Sequence, residues 1–99
     1  MSESIIHPPT IRQLQYLVAV VDLNHFGRAA ERCHVTQSTL SIQVKKLEAY
    51  LGIAVFDRNH AKVELTEHGA EIVRQARVAV SAFDRMRRYA GEQRVAAAH

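Results

Sequence analysis

The chain has 99 residues, of which 47% are hydrophobic, 23% charged and 6% aromatic, with 13 basic residues against 10 acidic ones for a net charge of +3. This length suits one domain, the apolar fraction excludes intrinsic disorder, and no apolar run approaches the ~18 residues that a membrane span needs. Met1 to Thr10 lack a basic stretch followed by an apolar one, so no secretory leader is expected, and the single cysteine, Cys33, excludes an internal disulfide and fits a reducing, cytoplasmic setting.

Residues 1–9 read as a flexible arm, because the residue before each of Pro8 and Pro9 is pushed towards extended geometry. Thr10 is a candidate N-cap. Ile11, Leu14, Leu17, Val18 and Val21 have helical spacing and predict a first helix over 11–23, stopped at Asn24. A second, shorter helix is expected over 26–32, with Ala29, Ala30 and Cys33 inward. The two adjacent alanines imply that another helix comes close. After a break at His34-Val35, Thr36 caps a third helix that runs to about Leu51 on the stripe Leu40, Val44, Leu47, Leu51, and Gly52 suits its left-handed end.

The period then changes. Ile53, Val55 and Phe56, then Val63 and Leu65, flank the polar run from Asp57 to Lys62 and predict a small β-hairpin. Thr66 caps a long fourth helix. Its residues Ile72, Ala76, Ala79, Phe83, Met86 and Ala90 recur with a strict heptad period, a seam that can bury within the chain or against a second copy; a helix this long exceeds what a three-helix core can cover, which favours dimerisation. Gly91 is the expected end, leaving 92–99 as a frayed tail. The expected fold is therefore mainly α: a winged helix-turn-helix of three helices and a short hairpin wing over 10–66, then a linker and dimerisation helix over 67–91.

The third helix carries the candidate chemistry. On a helical wheel with Leu40 at zero, Ser38, Ile42, Lys45 and Ala49 fall on the opposite side, Ser41 on one flank, and Thr39 and Lys46 on the other. Such a small, hydroxylated and basic face fits the major groove of duplex DNA, and Ile42 fits thymine methyl groups. Gln37, at the helix start, can pair with adenine through two hydrogen bonds; equally, Gln37 and Ser38 occupy positions they favour for local reasons. Arg58, Asn59, His60 and Lys62 around the hairpin tip suit phosphates or a minor groove, or else an ordinary polar turn. Arg28 and Arg32 suit flanking phosphates, or a solvated surface near Glu31.

Enzyme readings find little support. The chain has six histidines, but His25, Cys33 and His34 share no metal-ligand spacing, and no paired Cys-x-x-Cys exists. Gly27, Gly52, Gly69 and Gly91 are isolated, so no phosphate-cradling loop is expected. No catalytic residue, metal or cofactor is assigned. The alternative to DNA binding is a helical protein-interaction module using the 72–90 seam.

The run from His25 through Ala30, continuing through Cys33-His34-Val35-Thr36-Gln37-Ser38-Thr39-Leu40-Ser41, resembles the N-terminal DNA-binding domain of LysR-type transcriptional regulators. The similarity continues through Lys46-Leu47-Glu48, Leu51-Gly52, Phe56-Asp57-Arg58 and Leu65-Thr66-Glu67-His68-Gly69, and covers about residues 11–75 in order. The Cys-His-Val and Thr-Leu-Ser stretches are most similar to the peroxide-sensing branch, in which sensing cysteines sit in a C-terminal effector domain; Cys33 matches no such position. The resemblance implies a homodimer that binds an inverted repeat, a tetramer being open to the full-length protein, and a chain that corresponds to the DNA-binding fragment. It places Gln37, Ser38 and Ser41 among residues that meet bases or phosphates, with Arg58 as the wing arginine; Thr36 and Thr39, beside them at the helix start, complete the expected DNA-binding set. Many members have proline at position 38 and arginine at position 42, so Ile42 does not supply their guanine contact.

Overall fold

The computed structural model describes residues 8–58 and 62–98. Among them are four helices and no strand: α1 (Ile11–Leu23), α2 (Phe26–Arg32), α3 (Gln37–Leu51) and α4 (Glu67–Ala97). Asn59, with His60 and Ala61, lies outside the described residues, as do residues 1–7 of the expected arm.

Each helix begins on a side-chain cap, and each cap satisfies a backbone N–H that the helix itself leaves without a partner. Thr10 opens α1 in a reciprocal box. Its hydroxyl accepts from the Gln13 amide at 3.2 Å, and the Gln13 side chain accepts from the Thr10 amide at 3.1 Å. His25 opens α2, with Nδ1 accepting from the Arg28 amide at 3.0 Å. Thr36 and Thr66 accept from the amides of Thr39 and Gly69 at 3.1 and 2.9 Å. Asn24, at φ 54°, and Gly52, at φ 71°, supply the left-handed turns that end α1 and α3.

The turn between α2 and α3 is tight. His34 adopts φ 60°, a region that costs a residue with a Cβ about 1–2 kcal/mol. Compensating bonds surround it: the Val35 amide donates to the Ala30 carbonyl at 3.0 Å, and an Arg12 Nη donates to the Cys33 carbonyl at 3.0 Å. Ala29 and Ala30 are buried against the neighbouring helices, as two small residues in sequence suggest.

Leu17, Val20, Leu40, Val44, Leu47 and Val55 are fully buried and form the centre of the core. Each contributes about 1.5–3 kcal/mol by leaving water. A surface ion pair such as Arg77–Asp22, at 2.6 Å between α4 and α1, contributes at most about 1 kcal/mol. Apolar packing therefore holds the helices together.

Two expectations change. Among the described residues the expected hairpin shows one antiparallel bridge, Phe56 to Leu65, beside hydrogen bonds from Asp57 N–H to the Glu64 carbonyl and from Thr66 N–H to the Val55 carbonyl, both 2.9 Å. Strands this short gain little from pairing; the segment is anchored instead by Val55 and Phe56, which are buried under the helices. The fourth helix does not end at Gly91 but continues to Ala97, so most of the expected frayed tail is helical. A single glycine inside a helix costs only about 1 kcal/mol, and the flanking Ala90, Glu92, Gln93 and Arg94 favour continuation.

Candidate nucleic-acid interface

The face of α3 turned away from Leu40, Val44 and Leu47 is open to solvent. Gln37, Ser38, Thr39, Lys45 and Lys46 are exposed, Ser41 is half-buried, and Ile42 is 52% exposed, unusual for so large an apolar side chain. Neither Lys45 nor Lys46 is held in an ion pair with another described residue. The first turn of α3 contains no acidic side chain, so its backbone N–H groups present an uncompensated positive end.

Around this face the expected residues separate into free and engaged groups. The Thr36 hydroxyl accepts from the Thr39 amide and donates to the Thr39 hydroxyl at 3.0 Å, so both threonines serve the cap. Arg28 and Lys62 are exposed, and Lys62 lines the same cleft as Gln37. The start of α3 at Gln37 is crowded by α2: a Cβ on Gly27 would lie 3.3 Å from Gln37 Oε1 and 2.9 Å from the His25 ring. Gly27 thus lets the two side chains share the space before α3.

Arg58 is not a free cation. It donates to Glu48 Oε1 at 2.8 Å, and its guanidinium carbon lies 5.7 Å from the ring centres of both Phe26 and Phe56. Those two rings meet edge to face at 5.4 Å. Glu48 and the His25 cap are functional neighbours that residue patterns did not single out. The Lys46-Leu47-Glu48 run was legible as a motif, but a carboxylate reaching ten residues along the chain was not.

The heptad seam divides along α4. Ala76 is buried in the chain's own core and Ile72, Ala79 and Phe83 are half-buried, whereas Met86 and Ala90 are exposed. Ala76 is therefore not available to a second copy, because α1 covers the first half of α4. Beyond Phe83 the helix runs past the core, and the exposed large apolar side chains of α4 are Val78, Met86, Tyr89 and Val95. Among the described residues no helix is long and apolar enough to cross a membrane, and no group of three metal-ligating side chains converges.

Comparison with known proteins follows the same outline. Residues 11–70 match the model of the bacterial regulatory helix-turn-helix protein, lysR family. The hydrogen peroxide-inducible genes activator of Pectobacterium carotovorum is 43% identical over 83 residues, covering 84% of this chain but 28% of that protein. Full-length OxyR C199D from Pseudomonas aeruginosa superposes with a TM-score of 0.80 at 46% identity, over 85% of this chain and 28% of that one. BenM DBD, in its complex with catB site 1 DNA, superposes with a TM-score of 0.78 at 33% identity, over 91% of this chain and 95% of that one. The chain thus spans about a quarter of the length of its full-length relatives, over the segment they share. With its helix order, its α2–α3 turn and the match over residues 11–70, the chain belongs to the LysR family of bacterial helix-turn-helix regulators, and within it is similar to OxyR.

Proposed function

We propose that the protein binds duplex DNA sequence-specifically as a dimer and thereby regulates transcription in the cytoplasm. α3 enters the major groove, with Gln37, Ser38, Ser41 and Ile42 towards base edges and Thr36 and Thr39 shaping the helix start. Lys45, Lys46 and Arg28 meet phosphates. The 53–66 connection acts as the wing beside the adjacent minor groove, where Lys62 and Asn59 approach the backbone. The observation that carries this reading is the hydroxylated and basic outer face of α3 on a fold that superposes on a DNA-bound relative.

Dimerisation runs through α4. Its outer half offers Met86 and Ala90 together with Tyr89, and two copies would read the halves of an inverted repeat. Longer forms of the protein can pair such dimers into tetramers. We assign no catalytic step.

The test is selection of duplexes from a random library, then titration of the enriched duplex and a scrambled one at two salt concentrations. An enriched inverted repeat bound at least ~10³-fold more tightly than the scrambled control supports a sequence-reading dimer. Equal, steeply salt-dependent binding to both would leave only an electrostatic footprint. Absence of binding at low salt would remove the DNA reading.

A further inference from the structure

Building on the DNA-binding reading, we propose that Glu48 is a positioning residue: its carboxylate fixes the α3–α4 connection against the reading helix, so DNA affinity depends on a negative charge beside the DNA-facing surface.

Glu48 sits in the last turns of α3, and its side chain is only 12% exposed. One oxygen, Oε2, accepts from the amides of Val55 and Phe56 at 2.7 and 3.2 Å. The other, Oε1, accepts from Arg58 at 2.8 Å. The backbone carbonyl of the same residue accepts from Gly52 and Ile53 at 2.8 and 3.3 Å. Arg58 in turn lies over Phe26 of α2 and Phe56 of the connection. One carboxylate therefore joins α3, the connection and, through Arg58, α2. The other ion pairs described lie within α4 or between α4 and α1. The connection has only a single bridge of its own among the described residues, so its position relative to α3 rests on this carboxylate and on the burial of Val55 and Phe56.

The sign of the effect separates positioning from simple electrostatics. A carboxylate on the helix that carries Lys45 and Lys46 repels phosphates within about a Debye length, ~10 Å. Its neutralisation alone should tighten binding to any DNA. A positioning role demands the reverse on the preferred site.

The experiment uses the duplex enriched by the wild-type chain and a scrambled duplex of equal length, with Glu48→Gln and Glu48→Asp. Glu48→Gln keeps the reach and loses the charge; Glu48→Asp keeps the charge and loses the reach. Both variants should bind the enriched duplex about tenfold more weakly, the loss expected for one charge-assisted hydrogen bond. Hydroxyl-radical protection should fade at the outer edges of the site and stay intact at the centre, a pattern that general loss of folding does not give. Glu48→Gln should bind the scrambled duplex as well as the wild type or better. Wild-type or tighter affinity of Glu48→Gln for the enriched duplex would overturn the proposal. Should Glu48→Gln fail to melt cooperatively, Glu48→Asp decides alone, and unchanged affinity with an unchanged footprint overturns it. A wild-type chain that enriches no duplex would sink the DNA-binding reading itself, and this inference with it.

Discussion

Gly69 lies so close to the carbonyl oxygen of Val55 that a Cβ at position 69 would collide with it, and with the Thr66 hydroxyl that caps α4. The first turn of α4 is thereby pressed directly on the backbone of the connection. Because the obstacle is backbone rather than a flexible side chain, it yields only if the helix moves. Gly69→Ala should destabilise the fold by about 3 kcal/mol, the upper range of overpacking. Thermal or urea unfolding measures this, and a loss near zero would show that α4 can shift freely on the connection.

In the proposed reading, Gln37 meets adenine from the start of α3. Replacing it with alanine should cost about 1–3 kcal/mol on the preferred duplex and little on scrambled DNA. Titration of both duplexes measures the difference. Equal losses on the two would move Gln37 from base reading to general affinity.

Lys46 is exposed and makes no ion pair with another described residue. Lys46→Ala should weaken all DNA alike and lower the slope of log affinity against log salt by about one. An unaltered slope would mean that Lys46 meets no phosphate.

Hydrogen bonds from Arg74, then from Gln75, hold the Glu71 carboxyl down at about 2, well below its ordinary 4.5. The same contact raises the Arg74 guanidinium. A depressed folded value means that the stabilising contribution is complete above the unfolded carboxylate range near 4.5 and fades as pH falls towards about 2. The pair is fully exposed, so salt should weaken it. Following the side-chain carboxyl by NMR in low salt checks this, and a midpoint at the ordinary value would contradict the contact.

Met86 is 64% exposed on the part of α4 that extends past the core. Met86→Asp should shift the solution mass from dimer towards monomer and weaken binding to a full inverted repeat more than to a half-site. Analytical ultracentrifugation gives the first quantity and titration the second. An unchanged dimer would place the contact elsewhere on the chain.

The helices were legible because their signals are local. Thr10, Thr36 and Thr66 mark starts, Asn24 and Gly52 mark stops, and the apolar stripes between them have helical spacing. The outer face of α3 was legible for the same reason, since Leu40, Val44 and Leu47 fix which side is buried. What escaped is tertiary. Alternation around Val55 and Phe56 suggests strands, yet burial and the Glu48 carboxylate hold that segment with only one bridge among the described residues. Arg58 reads as a free basic tip until its partners are known. The heptad period of α4 cannot tell a chain's own core from a second copy, so Ala76 and Met86 look equivalent in sequence and are opposite in burial.

The 31 residues of α4 form a continuous rod, about 46 Å long at 1.5 Å per residue. Along its outer half, substitution and insertion are very different events. An exchanged side chain alters its immediate surroundings, but one added residue rotates everything beyond it by about 100° and advances it by about 1.5 Å. The side chains beyond the insertion would then face another direction while the core stays as it was. Along this helix, then, an exchange is felt only where that side chain makes contact, whereas an insertion changes the direction of every residue that follows it.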